Sequence, residues 1–131
     1  MWTNFAKESL ADQLQSNSDI SDWKYIGFGT DDTAATLGDT ALGAEVSGGS
    51  YARGTATQGE GDADTYRLTL TWTNNSAAEQ AIEEIGVFDA ATAGNLIGHF
   101  TTTDGDFSSF SIPVAGTAGI TINLPFNDSS E

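Results

Sequence analysis

Residues 65–74, "TYRLTLTWTN", place Tyr66, Leu68, Leu70 and Trp72 on one side of the chain and Thr65, Arg67, Thr69, Thr71 and Thr73 on the other. A strict period of two means a strand with one buried face and one wet face. That pattern belongs to an antiparallel sheet, because strands of parallel sheets are apolar on both sides. Three more alternating runs follow: Leu96, Gly98 and Phe100; Phe110, Ile112 and Val114; and Ile120, Ile122, Leu124 and Phe126.

Further apolar runs cover Ile85 to Phe88 and, less regularly, Tyr51 to Thr57, while "WKYIGFG" from Trp23 carries apolar groups on both faces. About seven short strands separated by Gly, Asn, Asp and Ser turns result. They predict an all-β fold, an antiparallel β-sandwich or jelly roll. Pro113 and Pro125 each remove a ladder donor, which places them on edge strands or strand ends. The chain has 131 residues and no cysteine. A domain of that size buries roughly two-thirds of its unfolded surface, so a core is expected without disulfides.

The N-terminal stretch has another period. "TNFAKESLADQLQS", residues 3–16, sets Ala6, Leu10 and Leu14 four apart with Trp2 and Phe5 beside them, which predicts a short amphipathic helix capped by Thr3 or Asn4. The chain divides on this basis into a helix and anchor segment, residues 1–20, and a β-sandwich domain, residues 21–131. Between the first two strand runs, Leu37, Ala41, Leu42 and Val46 read as one helical turn or a loop tucked against the core. "IEEIGVFDAATAGNLIGHF", residues 82–100, reads as a hairpin in which Ile85 and Val87 face one way and Glu84 and Phe88 the other. Gly94 or Asn95 supplies a positive φ in its turn.

Nineteen Asp and Glu against Lys7, Lys24, Arg53 and Arg67 give a net charge of −15. Such a chain repels phosphate, so neither nucleic acid nor an anionic membrane surface is an expected partner. The N-terminus lacks the apolar run and basic flank of a signal peptide, and no 18 apolar residues are contiguous, so membrane insertion is not expected. The acids are scattered from Glu8 to Glu131 among plentiful aromatic and β-branched residues. Scattered acidity of this kind marks a salt-adapted surface rather than a disordered tail.

Chemistry finds little purchase. The single histidine, His99, lies in the run "LIGHFTTT" and reads as an outer-face residue without a partner, while Glu83 and Glu84 read as a hydrated acidic surface or a subunit contact. A Ser-His-Asp arrangement is unsupported, and a Cys-based one is impossible. Zinc wants Cys and His ligands. Calcium has only the short acidic clusters at 31–32, 60–64 and 104–106, none of which matches a calcium-loop spacing. No cofactor is expected, calcium at those clusters being the weakly supported alternative. Asn74 and Asn127 begin N-x-S sequons.

The segment "WKYIGFGTDDTAATLGDTALGAEV" resembles a pattern in small structural proteins of tailed phages and haloarchaeal tailed viruses, where a strand ending "KYIAxGTG" precedes "DTAL". In the second half, "IEEIGVFDAATAGNLIGH" is similar to "ITEAGLFDAATGGTLLAR". The resemblance spans residues 23–102 and rests on turn and core signatures. It implies a non-enzymatic virion component, built as a homo-oligomer and contacting other capsid or tail proteins. Combined with the acidity, it makes a capsid-surface decoration or turret subunit of a halophilic tailed virus the leading expectation. The alternative is a tail-fibre or baseplate module binding host surface glycans through turns 31–40 and 101–109. Trp2, Phe5, Leu10 and Leu14 are the candidate anchoring or oligomer-forming residues, unless the helix simply caps the core.

At molar salt the Debye length is about 3 Å, so the self-repulsion of a −15 chain is largely screened. Dialysis from molar salt into dilute buffer is therefore expected to unfold the domain; a circular dichroism spectrum unchanged across that range would contradict salt adaptation.

Overall fold

The computed structural model describes residues 1–16, 22–46, 52–61, 65–76 and 78–125, with side chains in the helix described as far as Leu10. Helix α1 (Asn4–Ser16) is followed by β1 (Tyr25–Gly29), β2 (Gly54–Thr55), β3 (Thr57–Glu60), β4 (Thr65–Thr73), β5 (Ala81–Ile82), β6 (Glu84–Phe88), β7 (Leu96–Thr101), β8 (Phe110–Ser111) and β9 (Thr117–Pro125). All strand pairings are antiparallel. They form a four-stranded sheet in the order β2-β1-β6-β7, a three-stranded sheet β3-β4-β9 and a small β5-β8 pair.

The two larger sheets face each other as a sandwich. Ile26, Phe28, Ile85, Val87 and Ile97 from the four-stranded sheet meet Leu68, Trp72, Ile120, Ile122 and Leu124 from the three-stranded sheet in one buried cluster. Phe28 and Trp72 lie across the interface with ring centroids 5.0 Å apart at a tilt of 54°, a geometry aromatic pairs favour. β4 buries Leu68 and Trp72 and exposes Thr69 and Thr71, as its alternation predicts. β9 repeats the pattern with Ile120, Ile122 and Leu124 inside.

Nine strands replace the seven expected because two runs divide. The run from Tyr51 to Thr57 splits at Ala56, which is buried and donates its N–H to Lys24 O. Gly54–Thr55 joins one sheet and Thr57–Glu60 the other, so the chain turns a corner of the sandwich there. Likewise Ala81–Ile82 leaves the hairpin to pair with Phe110–Ser111. Val114, expected to continue a strand, is exposed, and Gly116 N–H bonds back to Pro113 O in a turn. Pro125 ends β9, a strand-end position. Tyr51, Phe126, Asn127 and residues 62–64 lie outside the described residues.

The N-terminus is built into the four-stranded sheet. Trp2 bridges antiparallel to Gly98, Thr3 N–H donates to Ile97 O, and His99 N–H donates to Met1 O, so residues 1–3 cover the β7 edge. Thr3 then caps α1, its hydroxyl oxygen accepting from Ala6 N–H at 3.3 Å while its own proton reaches Leu96 O at 2.6 Å. An N-cap threonine satisfies one of the orphan donors of the first helical turn. Ala6 is fully buried and the helix packs on β7.

The four-stranded sheet is also covered on its outer face. Tyr25, Phe88 and Leu96 form a second cluster with Leu42, which comes from the segment between β1 and β2. That segment is a loop with turns, not a helical turn, and of its four apolar residues Leu42 is buried, Val46 half-buried, and Leu37 and Ala41 exposed. Both faces of β1 are therefore dry, in keeping with its two apolar sides. The sandwich core predicts that Leu68→Ala, at a fully buried position, lowers unfolding free energy by about 2–5 kcal/mol. Val114→Ala, at a residue 52% exposed, should stay within about 0.5 kcal/mol. Urea titration in molar salt measures both.

Candidate functional site

The outer face of the four-stranded sheet carries one polar cluster beneath the 30–46 loop. The β6–β7 register sets Glu84 opposite Thr101 and Gly86 opposite His99, so Glu84 and His99 share this face. His99 Nε2 lies 2.9 Å from Glu84 Oε2, and its Nδ1 lies 2.7 Å from Asp39 Oδ2, brought in by the loop. Glu84 also accepts from Gly43 N–H at 3.0 Å and Ala44 N–H at 2.7 Å. Asp39 accepts from Thr36 N–H and Thr36 Oγ1.

Space for this arrangement comes from two glycines. A Cβ on Gly29 would sit 2.2 Å from Glu84 Oε1, and one on Gly86 would press on Leu42, Phe88 and Leu96 at 2.8–3.0 Å. Missing side chains let the carboxylate lie flat on the sheet and let the loop approach it.

Ionised carboxylates only accept hydrogen bonds, so both ring nitrogens of His99 donate and the imidazole is a cation. Burial works against that charge, but the hydrogen bonds and proximity of Glu84 and Asp39 outweigh it and raise the His99 pKa above its ordinary value. For Glu84, burial is likewise outweighed, by His99 and the Ala44 and Gly43 N–H groups, and its pKa is lowered. Asp39 is lowered in the same way, burial being overcome by Thr36 and His99. With both nitrogens occupied, the ring has no free lone pair for a nucleophile's proton. It is a clamp, not a general base.

Contrary to the expectation of an outer-face histidine and a hydrated acidic surface, His99 is 4% exposed and Glu84 1%. Glu83 alone is near solvent, and its carboxylate accepts from Thr102 Oγ1 and Ser109 Oγ. A signal was present, since a hairpin turning at 89–95 puts residues 84 and 99 on one face. What the sequence hid was Asp39, sixty residues away.

A second polar staple holds the same loop. Arg53 binds Glu45 through Nε at 2.7 Å and Nη2 at 3.0 Å, donates from Nη1 to Ala90 O and Ala93 O, and stacks over the Phe88 ring at 3.3 Å. A bidentate guanidinium with a ring beneath it is the stronger form of ion pair. It fixes the hairpin turn, where Ala93 and Gly94 have φ of 52° and 72°. Gly94 matches expectation; Asn95 does not adopt a positive φ, and its side chain and N–H bond Asp89 instead.

Of the candidate interaction residues, Trp2 is half-buried, with Nε1 donating to Pro125 O and its ring 5.9 Å from that of Trp23. Leu10 packs half-buried against the core, Phe5 is 38% exposed, and the Leu14 side chain is outside the description. Phe5 meets Leu37, Asp39 and Asn95 around a groove of about 180 Å³. Of the three whose side chains are described, only Phe5 is exposed.

Among the described residues no three Asp, Glu, His or Cys side chains converge as a metal-holding group. Asp31 instead accepts from Thr33, and Asp104 from Ala35 N–H and Thr101 Oγ1, which ties turn 31–40 to turn 101–109. Asn74 is fully buried and its amide donates to Ile112 O and Ala78 O, so this sequon is closed to glycosylation in the folded chain.

The clamp makes stability depend on pH with a defined sign. The His99 contribution is complete below its ordinary value of 6.5 and is lost as pH rises through its raised folded value. The Glu84 and Asp39 contributions are complete above their ordinary 4.5 and 3.8 and are lost as pH falls through their lowered values. Thermal midpoints in molar salt should peak between pH 4.5 and 6.5. His99→Gln should cost roughly 3 kcal/mol by leaving Glu84 buried without a counter-charge, with the double variant Glu84→Gln, His99→Gln recovering part of the loss. A midpoint independent of His99 would refute the clamp.

A model of the family described as podophage GP4 fiber I protein gp80 matches residues 2–112, from the residue bridged to β7 through the hairpin and clamp. Comparison with curated protein sequences returns no match. The expectation of a phage structural protein holds at the level of family: the chain belongs to the podophage GP4 fiber I protein gp80 family and is a virion structural component.

Proposed function

We propose that the chain is a fibre module on the outside of a tailed virus particle, working by contact rather than catalysis. The observation that carries this reading is the fiber-family match over residues 2–112. It moves preference from the capsid turret subunit to the fibre. The His99 clamp supports a non-enzymatic role, because its carboxylates and imidazole neutralise one another. A net charge of −15 supports an outward position, away from packaged nucleic acid, in a halophilic setting.

In this reading the module assembles with copies of itself and with other virion proteins. Turns 31–40 and 101–109, joined by Asp104, are the surface offered to host glycans. The exposed Phe5 of α1, with Leu37 of the 30–46 loop beside it, offers apolar surface to a virion neighbour.

Gold-labelled antibodies against the folded domain, applied to intact particles in molar salt, test the placement. Label at the tail is expected. Label spread over the capsid shell would overturn the fibre reading and restore the turret.

A further inference from the structure

A sheet edge exposes unpaired N–H and C=O groups, and soluble proteins blunt their edges with short strands, charges, bulges or covering segments. The two larger sheets present four edges. β7 is covered by residues 1–3 and by Asp106, which bonds Thr101 N–H and O. β2 is two residues long. β3 is four residues long and ends in the exposed Glu60.

β9 differs from all three. It is nine residues long, pairs with β4 in unbroken register from Thr117 to Pro125, and contains no charged residue. Among the described residues its other edge receives one hydrogen bond, from the Trp2 indole to Pro125 O at its very end. Beside it a cleft of about 280 Å³ opens between the sheets, lined by Ile85, Phe100, Phe107, Ile120 and Ile122 together with Asp106, Thr121 and Asn123.

We propose that this edge is a self-pairing interface: two copies of the chain join antiparallel along β9 about a two-fold axis at Thr121, continuing the three-stranded sheet into a six-stranded one. Self-complementarity argues for a second copy as the occupant, because a strand edge without charged residues does not repel its own copy. Chains of −15 repel, and a nine-residue uncharged strip lets two of them come within hydrogen-bonding distance. Register selects the axis. About Thr121, Ile120 falls opposite Ile122 of the second copy and Ala118 opposite its Leu124 on the core side. On the outer side Thr121 faces Thr121, a favourable cross-strand pair. The isologous geometry closes at two subunits.

This inference deepens the self-assembly part of the fibre reading and rests on it, but it is read from purified protein, so the particle-labelling result leaves it untouched. Light scattering after size exclusion, in molar salt and at several hundred micromolar chain, should give twice the 13.7 kDa chain mass. Thr121→Glu sets like charges face to face and should halve that mass with the circular dichroism spectrum retained. Gln58→Glu, on the exposed β3 edge, should leave the dimer intact. Thr121→Cys should form one symmetric intermolecular disulfide on mild oxidation. A monomeric or trimeric parent, a dimer that survives Thr121→Glu, or a dimer without the Thr121→Cys crosslink would each overturn the interface.

Discussion

The four-stranded sheet has no wet side, and the rest of the architecture answers to that constraint. One face meets the three-stranded sheet through Ile26, Phe28, Ile85 and Val87. The other lies under a loop of mostly small and acidic residues that has little apolar surface of its own beyond Leu42. A loop of that composition is not held by the hydrophobic effect. Directed polar bonds hold it instead: Glu84 and His99 from the sheet, Asp39, Gly43 and Ala44 from the loop, and Arg53 to Glu45 at its far end. Buried polar groups of this kind add specificity because they tolerate one arrangement and penalise others.

Much of the sandwich was legible from local pattern. The alternation of Tyr66, Leu68, Leu70 and Trp72 placed β4 to within a residue, and the two apolar sides of "KYIGF" anticipated a strand dry on both faces. Thr3 was readable as a cap because capping chemistry is local. The clamp was illegible for the opposite reason. Nothing near His99 in sequence shows that a loop ending half a chain earlier folds over it, and an alternating strand cannot reveal that its polar side is covered. The same limit applies to Asn74, whose sequon reads as exposed until its amide is seen bonding Ile112 O.

Arg53 shows how composition can mislead in a strongly acidic chain. Four cations among nineteen acids enter the sequence reading only as a charge balance, yet this one is buried to 7% side-chain exposure and joins three segments. In a field of carboxylates, a guanidinium drawn into the structure neutralises Glu45, a half-buried acid of the covering loop. Salt screens the outer carboxylates but reaches Glu84, 1% exposed, poorly. High salt and the internal cations therefore act on different populations of the same residue type.

The bridge between Trp2 and Gly98 has a consequence for the order in which the molecule can form. Thr3 finds its acceptors on Leu96 and Ile97, made some ninety residues after it. Until then α1 has only its own turns to sustain it, and a helix of thirteen residues is marginal alone. Contacts so distant in sequence slow folding. The nascent chain thus carries an unsatisfied amphipathic segment until β7 has been made, and α1 docks only on a strand synthesised long after it.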